Sequence, residues 1–448
     1  MKYLFKYINN DVRAFQLFQL IRTGSLFLIS IIFTKNNPFS GESLLSLEEI
    51  GLYETFMLIT MVITFFWISG MLQSLLSMYG SNKIFNSEKK NPIFFNIFIL
   101  FTALGIVSAI FVFCLQTPLS KFITDPNSGG FPYLKILLLY ILLSCPVSMI
   151  EFIYLLKNKA LSIIYYGIIT FSLQLFCVII PLFLGYDLEY SLYGLVFINL
   201  IRFLWLIVLI YKYSELKISK KFLKKFITLS LPLILGSLIS VTTIYFGNFL
   251  ISYKFDEATF AIFRYGAKEL PFVSLLTAAF ANALIPTFSN QDNLDNALLN
   301  LKKRTSRLMH SIFPVTLLIL LTSKYLYPFI FNENFNDSVI IFNIFILIIV
   351  TRFIFSRVIL IGQQKTKIIL YSSIIELLIN IILSIIFINI WGIVGIAIAT
   401  LISNIIEKFY LVIYLRIKEN IKMSDYVDMK IYLFYTILLV ICFTLTFL

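Results

Sequence analysis

Eight of the 36 basic residues lie inside long apolar runs: Arg22, Lys135, Arg202, Arg264, Lys268, Arg352, Arg357 and Lys408. Lys135, Arg357 and Lys408 fall near the ends of such runs, where a long side chain can snorkel to the headgroups. Arg22, Arg202, Arg264, Lys268 and Arg352 fall deeper. Each would cost about 2.5–3.5 kcal/mol facing lipid at mid-bilayer, roughly 15 kcal/mol together, more than most domains have in reserve. They must therefore face water or a partner. The acids in the same runs are fewer: Glu151, Glu269, Glu376 and Glu407. Even with every acid paired, a cationic excess remains, and a cationic cavity suits an anion. Arg grips phosphate with a fork of charge-assisted hydrogen bonds, and Lys adds a mobile point charge. Arg264 and Lys268 are four apart and so share a helix face, with Glu269 beside them and Pro271 able to open the backbone there. A pyrophosphate on a polyprenyl tail matches this chemistry, with the headgroup in a cavity and the tail in lipid. The competing reading is inter-helix ion pairing, of Arg264 with Glu269 or of Arg22 with a neighbouring acid. Glu151, Glu269, Glu376 and the single histidine, His310, are the groups that could carry a coupling proton or Na⁺.

Other chemistries find less support. Cys114, Cys145, Cys177 and Cys442 all sit in apolar runs without metal-ligand spacing and read as packed thiols. There is no phosphate-cradling loop for a nucleotide, so neither ATP nor any other cofactor is expected. Glu42, Glu48 and Glu49, in the loop 35–49, are the nearest approach to an external acidic cluster, and they read as solvated surface. The net charge of +13 would suggest nucleic acid in a soluble protein. Here it follows from the tendency of Lys and Arg to collect in cytoplasmic loops.

The elements that must position these charges are transmembrane helices. Of 448 residues, 59% are hydrophobic and 13% charged, with 47 Phe and 25 Tyr, so lipid is the solvent. Stretches of about 20 apolar residues predict spans near 14–34, 51–78, 92–115, 133–156, 161–184 and 192–211. Six more follow near 226–253, 260–287, 307–323, 338–361, 368–388 and 392–414, and a thirteenth apolar run covers 431–448. The first run lacks a cleavage pattern and reads as a span. With the N-terminus inside, the cytoplasmic segments hold 24 Lys and Arg and the external loops four: Lys35, Lys121, Lys254 and Lys324. One missed span would scramble this asymmetry. The longest external loop, near 116–132, is too short for a folded domain.

The most basic loop, KYSELKISKKFLKK at 212–225, divides the chain. The spans on either side are weakly alike: Ile50-Gly51-Leu52-Tyr53 and Phe260-Ala261-Ile262-Phe263 open spans two and eight, Tyr166 corresponds to Tyr371, and Tyr193-Gly194 to Val394-Gly395. An even number of spans per half predicts an all-α integral membrane protein of two six-helix lobes related by a pseudo-twofold along the membrane normal. The expected division is an N-lobe at 1–212, a basic cytoplasmic linker at 213–225, a C-lobe at 226–418 and an accessory helix at 419–448.

The chain resembles the polysaccharide flippases, of the O-antigen type, in the multidrug/oligosaccharidyl-lipid/polysaccharide exporter (MOP) superfamily. Ala258 to Asn290 (ATFAIFRYGAKELPFVSLLTAAFANALIPTFSN) is similar to the family's eighth span. Asn380 to Arg416, with its Gly-x-x-Gly and Ala-Thr-x-x-Ser run, is similar to the closing hairpin, and Leu47 to Tyr53 to the start of span two. The resemblance implies a V-shaped fold in the bacterial inner membrane and alternating access. It implies a substrate, undecaprenyl-pyrophosphate-linked oligosaccharide, moved to the outer leaflet for cell-surface polysaccharide assembly. It also implies a cationic lumen that includes Arg22 and Arg264, and polysaccharide polymerase machinery as a partner. A cation-coupled multidrug antiporter of the same superfamily is the alternative, disfavoured by the cationic excess. A membrane polysaccharide polymerase or ligase is less favoured because the external loops are short.

The orientation is checked by cysteine labelling in a cysteine-free background. Lys121→Cys is expected to react with an impermeant maleimide in intact cells, and Lys217→Cys only after permeabilisation. The opposite pattern would reverse the topology.

Overall fold

The computed structural model describes residues 11–33, 44–80, 90, 92–115, 131–267, 270–289, 293–330 and 336–446. Among them the secondary structure is helical almost throughout, as hydrocarbon demands, because a helix satisfies its own backbone polar groups. The helices are α1 (Asp11–Phe33), α2 (Leu47–Gly80), α3 (Ile93–Cys114), α4 (Leu134–Val147), α5 (Ile150–Leu156), α6 (Ala160–Phe183) and α7 (Leu188–Tyr213). They continue with α8 (Lys220–Lys254), α9 (Glu257–Gly266), α10 (Pro271–Leu284), α11 (Leu294–Ile330), α12 (Ser338–Leu347) and α13 (Ile349–Arg352). The last four are α14 (Ser356–Gly362), α15 (Thr366–Lys418), α16 (Met423–Tyr426) and α17 (Met429–Leu445).

Nine of these described stretches are long and apolar enough to cross a membrane, or ten when α12–α14, bent by 46°, counts as one span. Two departures from regular helix geometry and one short helix separate that figure from the thirteen apolar runs of the sequence. The eighth run is broken between α9 and α10, with Pro271 at the first position of the second helix, where its missing N–H does no harm. The last helix, α17, has 17 residues. The eleventh and twelfth runs fall on the 53-residue α15, whose backbone leaves helical geometry at Gly392 (φ 59°, ψ −137°). A straight helix of that length would reach about 80 Å, far beyond a hydrocarbon layer of roughly 30 Å. The fold at Gly392 returns the chain, and the positive φ there suits glycine. The fourth run is also interrupted: α4, with Pro146 in its last turn, ends at Val147, and α5 begins at Ile150.

The chain forms two compact units, one of residues 1–76 and 82–228, the other of 77–81 and 229–448. The boundary thus falls inside α8, which already begins at Lys220, and α17 belongs to the second unit. In the first unit α1 packs on α6, α3 on α4, and α7 on both α4 and α6. Phe18 of α1 lies against Tyr166 and Phe171 of α6. In the second unit α9 packs on α12, α11 on α12 and α17, and α14 on α15. Ile251, Phe263, Ile341, Ile344, Ile388, Ile396 and Ala397 form a core there. Asp256 caps α9, its Oδ1 accepting from Thr259 N at 2.9 Å, and the hydrogen bonds with Thr259 hold its carboxyl below the ordinary range.

The paired motifs of the two halves occupy comparable places in one case and not in another. A Cβ on Gly194 would lie 2.2 Å from the Cys177 carbonyl oxygen of the preceding helix, and one on Gly395 would lie 2.2 Å from that of Phe387. Each glycine lets two antiparallel helices close at a hairpin. Tyr166, by contrast, is buried against Phe18 and Trp205, whereas Tyr371 is exposed.

Gly194→Ala and Gly395→Ala are each expected to lower stability by about 1–3 kcal/mol, since backbone must shift to admit the methyl group. At Gly24 nothing lies within 4 Å of the added carbon, so Gly24→Ala should be neutral or stabilising through helix propensity. Thermal unfolding in detergent distinguishes the three.

Candidate functional site

In the first unit, α1, α5, α6 and α7 bring three of the sequence-derived residues together. The break after Pro146 restarts the fourth span as α5, with Glu151 in its first turn. Glu151 is 6% exposed at its side chain and faces Arg22 of α1, Oε1 to Nη1 at 3.6 Å. That distance makes an ion pair without a hydrogen bond. Arg22 is 44% exposed at its side chain, and its guanidinium makes no hydrogen bond among the described residues. Arg202 of α7, 7% exposed, is also within electrostatic reach of Glu151. Two guanidinium groups around one carboxylate leave this interior with a positive excess.

Arg202 is held by neighbours that sequence reading passed over. Its Nη2 donates to Gln174 Oε1 at 2.9 Å and to the Thr170 carbonyl oxygen at 3.3 Å, and the guanidinium lies 4.6 Å from the centre of the Phe171 ring. Its buried Nε has no hydrogen-bond partner. Tyr166, Thr170 and Gln174 recur every four residues and so form one stripe of α6. That stripe of polar atoms in an otherwise apolar helix was the available signal.

In the second unit, Arg264 is exposed in the last turn of α9 and forms no ion pair among the described residues. Lys268 and Glu269, the other two charges of that constellation, lie outside the described residues, so their pairing with Arg264 is not part of the observed geometry. Arg352 ends α13 and borders a small apolar crevice with Leu270, Val273, Phe345, Ile346, Ile348 and Ile349. His310 of α11 shares a 2.8 Å hydrogen bond between Nδ1 and the Tyr435 hydroxyl, which ties α17 to α11.

The two limbs of α15 carry a second polar interior. Ser372, Glu376, Asn380 and Ser384 recur every four residues on the first limb and meet Thr400, Ser403, Asn404 and Glu407 of the second. Glu376 Oε1 accepts from Asn404 Nδ2 at 3.3 Å, Asn404 Oδ1 accepts from Thr351 at 2.6 Å, and Asn380 Nδ2 lies 3.3 Å from both Thr400 and Ser403 hydroxyls. Glu407, 2% exposed, accepts from Ser372 at 2.9 Å and pairs with Lys408 Nζ at 2.9 Å. Lys408 therefore does not snorkel: its side chain is 15% exposed and its charge is met by an adjacent carboxylate. Among the described residues no group of three or more His, Cys, Asp or Glu is arranged to hold a metal ion.

A helical protein of many apolar spans, with ionisable groups buried inside each of two units, has the architecture of a multi-pass membrane protein. The chain belongs to the polysaccharide biosynthesis protein family, whose profile matches residues 43–340. Its fold is that of solved MATE transporters. A point mutant of the Vibrio cholerae MATE transporter VcmN matches with a TM-score of 0.75 at 13% identity over 94% of this chain and 98% of that one. A MOP superfamily transporter from Pyrococcus furiosus, described as having a binding pocket of reverse polarity that suggests a different function, matches at 0.68 and 14% over 92% and 96%. An outward-facing multidrug resistance MATE family transporter of the MOP superfamily matches at 0.65 and 14%, again over 92% and 96%. No curated protein matches the chain.

The Arg202 assignment has a direct test. Gln174→Leu leaves a buried guanidinium without its side-chain acceptor and is expected to cost about 1–3 kcal/mol. Arg202→Met combined with Gln174→Leu should recover most of that loss, because a buried charge and its partner removed together leave nothing unsatisfied. Unfolding midpoints of the single and double variants measure it.

Proposed function

We propose that this protein is a flippase that carries a polyprenyl-pyrophosphate-linked oligosaccharide from the cytoplasmic to the outer leaflet by alternating access, in the assembly of a cell-surface polysaccharide. The observation that carries the reading is Arg22: a half-exposed guanidinium inside a membrane unit, its hydrogen-bond donors unused, held by a buried carboxylate at 3.6 Å. A group in that state is ready for a diphosphate, whose oxygens can take the donors that Glu151 leaves open. Arg202 sits behind it as a second positive charge that strengthens the local field. Arg264 and Lys268 are the corresponding anion-binding candidates on the second unit, with Arg352 a further one. Membership of a polysaccharide biosynthesis family supports a saccharide-linked cargo.

Transport against a gradient needs an energy source. The buried acids Glu151 and Glu376 are the coupling groups we favour for H⁺ or Na⁺, ahead of Glu269 and His310. His310 already shares its Nδ1 with Tyr435. The localisation that follows is a bacterial cytoplasmic membrane with the N-terminus inside.

One observation favours the antiporter reading: the fold is shared with transporters named for multidrug resistance. Charge separates the two, since a cationic drug would be repelled by two arginines around one acid.

Reconstitution into vesicles with a fluorescent lipid-linked oligosaccharide decides between them. Arg22→Ala and Arg264→Ala are each expected to slow flipping by about 10- to 100-fold, the weight of one charge-assisted contact. Unchanged flipping in both would remove the site, and selective uptake of cationic dyes by the parent would establish the antiporter.

A further inference from the structure

Four lysines gather at one end of the first unit from three separate stretches of chain: Lys90 ahead of α3, Lys157 and Lys159 between α5 and α6, and Lys212 in the last turn of α7. Three of them converge on a single ring. The Nζ atoms of Lys157, Lys159 and Lys212 lie 5.8, 5.2 and 5.5 Å from the centre of Tyr213. No two can be farther apart than about 12 Å, or about one and a half Debye lengths at physiological salt, so they repel one another through only partial screening. The turn that sends Lys157 and Lys159 to the same ring depends on Asn158, whose φ of 53° is tolerated by asparagine better than by most residues.

The ordinary explanation for lysines at helix ends is service to the last carbonyl groups. Here that service is already provided. The carbonyls of Ile153, Tyr154 and Leu155 accept from the backbone N–H groups of Lys157, Lys159 and Asn158 at 3.0–3.1 Å, and Ile210 accepts from Ser214 at 2.8 Å. The Tyr211 carbonyl accepts from Lys90 Nζ at 2.8 Å. Among the described residues the ammonium groups of Lys159 and Lys212 have neither an ion pair nor a hydrogen bond, although Glu215 follows Tyr213 closely in the chain. The aromatic ring offers them only a weak attraction. Lys159 and Lys212 thus bring two positive charges to one ring without a counter-charge among the described residues, and an anionic ligand would supply it.

The surface beside it says which ligand. Leu204, Val208 and Tyr211, spaced to form one stripe of α7, are 55%, 64% and 69% exposed and lead along the helix to the lysines. In a membrane such a stripe faces acyl chains. We propose that Lys157, Lys159 and Lys212 around Tyr213 form a site for the phosphate of an anionic phospholipid, with the acyl chains lying along α7. The lysine-rich end is the cytoplasmic one by the charge rule, so the lipid belongs to the inner leaflet. This lipid is a resident of the protein surface, not its cargo, and the inference stands whether or not the flippase reading does.

The test titrates the purified full chain in detergent with phosphatidylglycerol or phosphatidylcholine and reads bound lipid by native mass spectrometry. Phosphatidylglycerol is expected to be retained in preference to phosphatidylcholine. Lys159→Gln with Lys212→Gln should weaken it at least about fivefold, the weight of a single lysine near an anionic surface, and the corresponding Arg pair should retain it. Lys221→Gln with Lys224→Gln removes the same charge from the neighbouring basic stretch and should change binding less than about twofold. Equal losses in the two charge-matched Gln pairs would show a diffuse field and overturn the site. No loss in the first pair, or no preference between the lipids, would also overturn it.

Discussion

A charge in hydrocarbon must be solvated by something, and the interior of this protein is organised around that demand. Water solvates an ammonium or guanidinium group from all sides, whereas a helix bundle offers only the few polar atoms that happen to face it. The buried charges of the described residues meet the demand in three ways. Arg202 is surrounded by Gln174, the Thr170 carbonyl and the face of Phe171. Glu407 is matched by Lys408 and Ser372. Arg22 is only steadied by Glu151 and keeps access to the exterior of its unit. The first two are closed arrangements in which protein atoms replace water. The third is open, and an open arrangement is the one that leaves room for a ligand.

The same demand explains where the backbone is irregular. Pro146, Pro271 and Gly392 are the points at which a long apolar run stops being one straight helix. Two of them lie near charges of interest: Glu151 follows Pro146 by five residues, and Lys268 and Glu269 precede Pro271 by three and two. A break shifts the side chains beyond it off the stripe set by those before it. An acid on a restarted helix can then face inward where a continuous helix would have turned it elsewhere.

Much of this was legible from residue types alone. Apolar length gave the helices, because in lipid nothing but a helix or a closed barrel satisfies the backbone. The doubling of α15 was legible too, since the apolar runs 368–388 and 392–414 are separate in the sequence and the backbone turns at Gly392, where the second begins. The charged residues were easy to find and hard to pair. Hydropathy marks Arg202 as anomalous but cannot show that Gln174 on another helix answers it, since contact between helices depends on their rotation about their own axes. Lys408 misled for a related reason. Its nearness to a span end suggested snorkelling, and the adjacent Glu407 already held the answer.

The two units solve the same physical problem with different charge balances, and that difference is informative beyond any one residue. In the first, two arginines surround one glutamate, so an incoming anion lowers the electrostatic energy. In the second, Glu376 and Glu407 share a region with Lys408 and Arg357, threaded by Ser372, Asn380, Thr400, Ser403 and Asn404. Acids there balance bases, and hydroxyl and amide groups supply the rest. An anion would find no surplus to bind, but a proton or small cation could be exchanged without leaving an isolated charge. On the proposed reading, cargo recognition draws on the excess charge around Arg22, with Arg264 as its counterpart, and the balanced interior between the two limbs of α15 is suited to exchanging the coupling ion. Of the two favoured acids, Glu376 is then better suited than Glu151 to that exchange, because a carboxylate held directly against the pyrophosphate site would be driven to change charge whenever the substrate arrived.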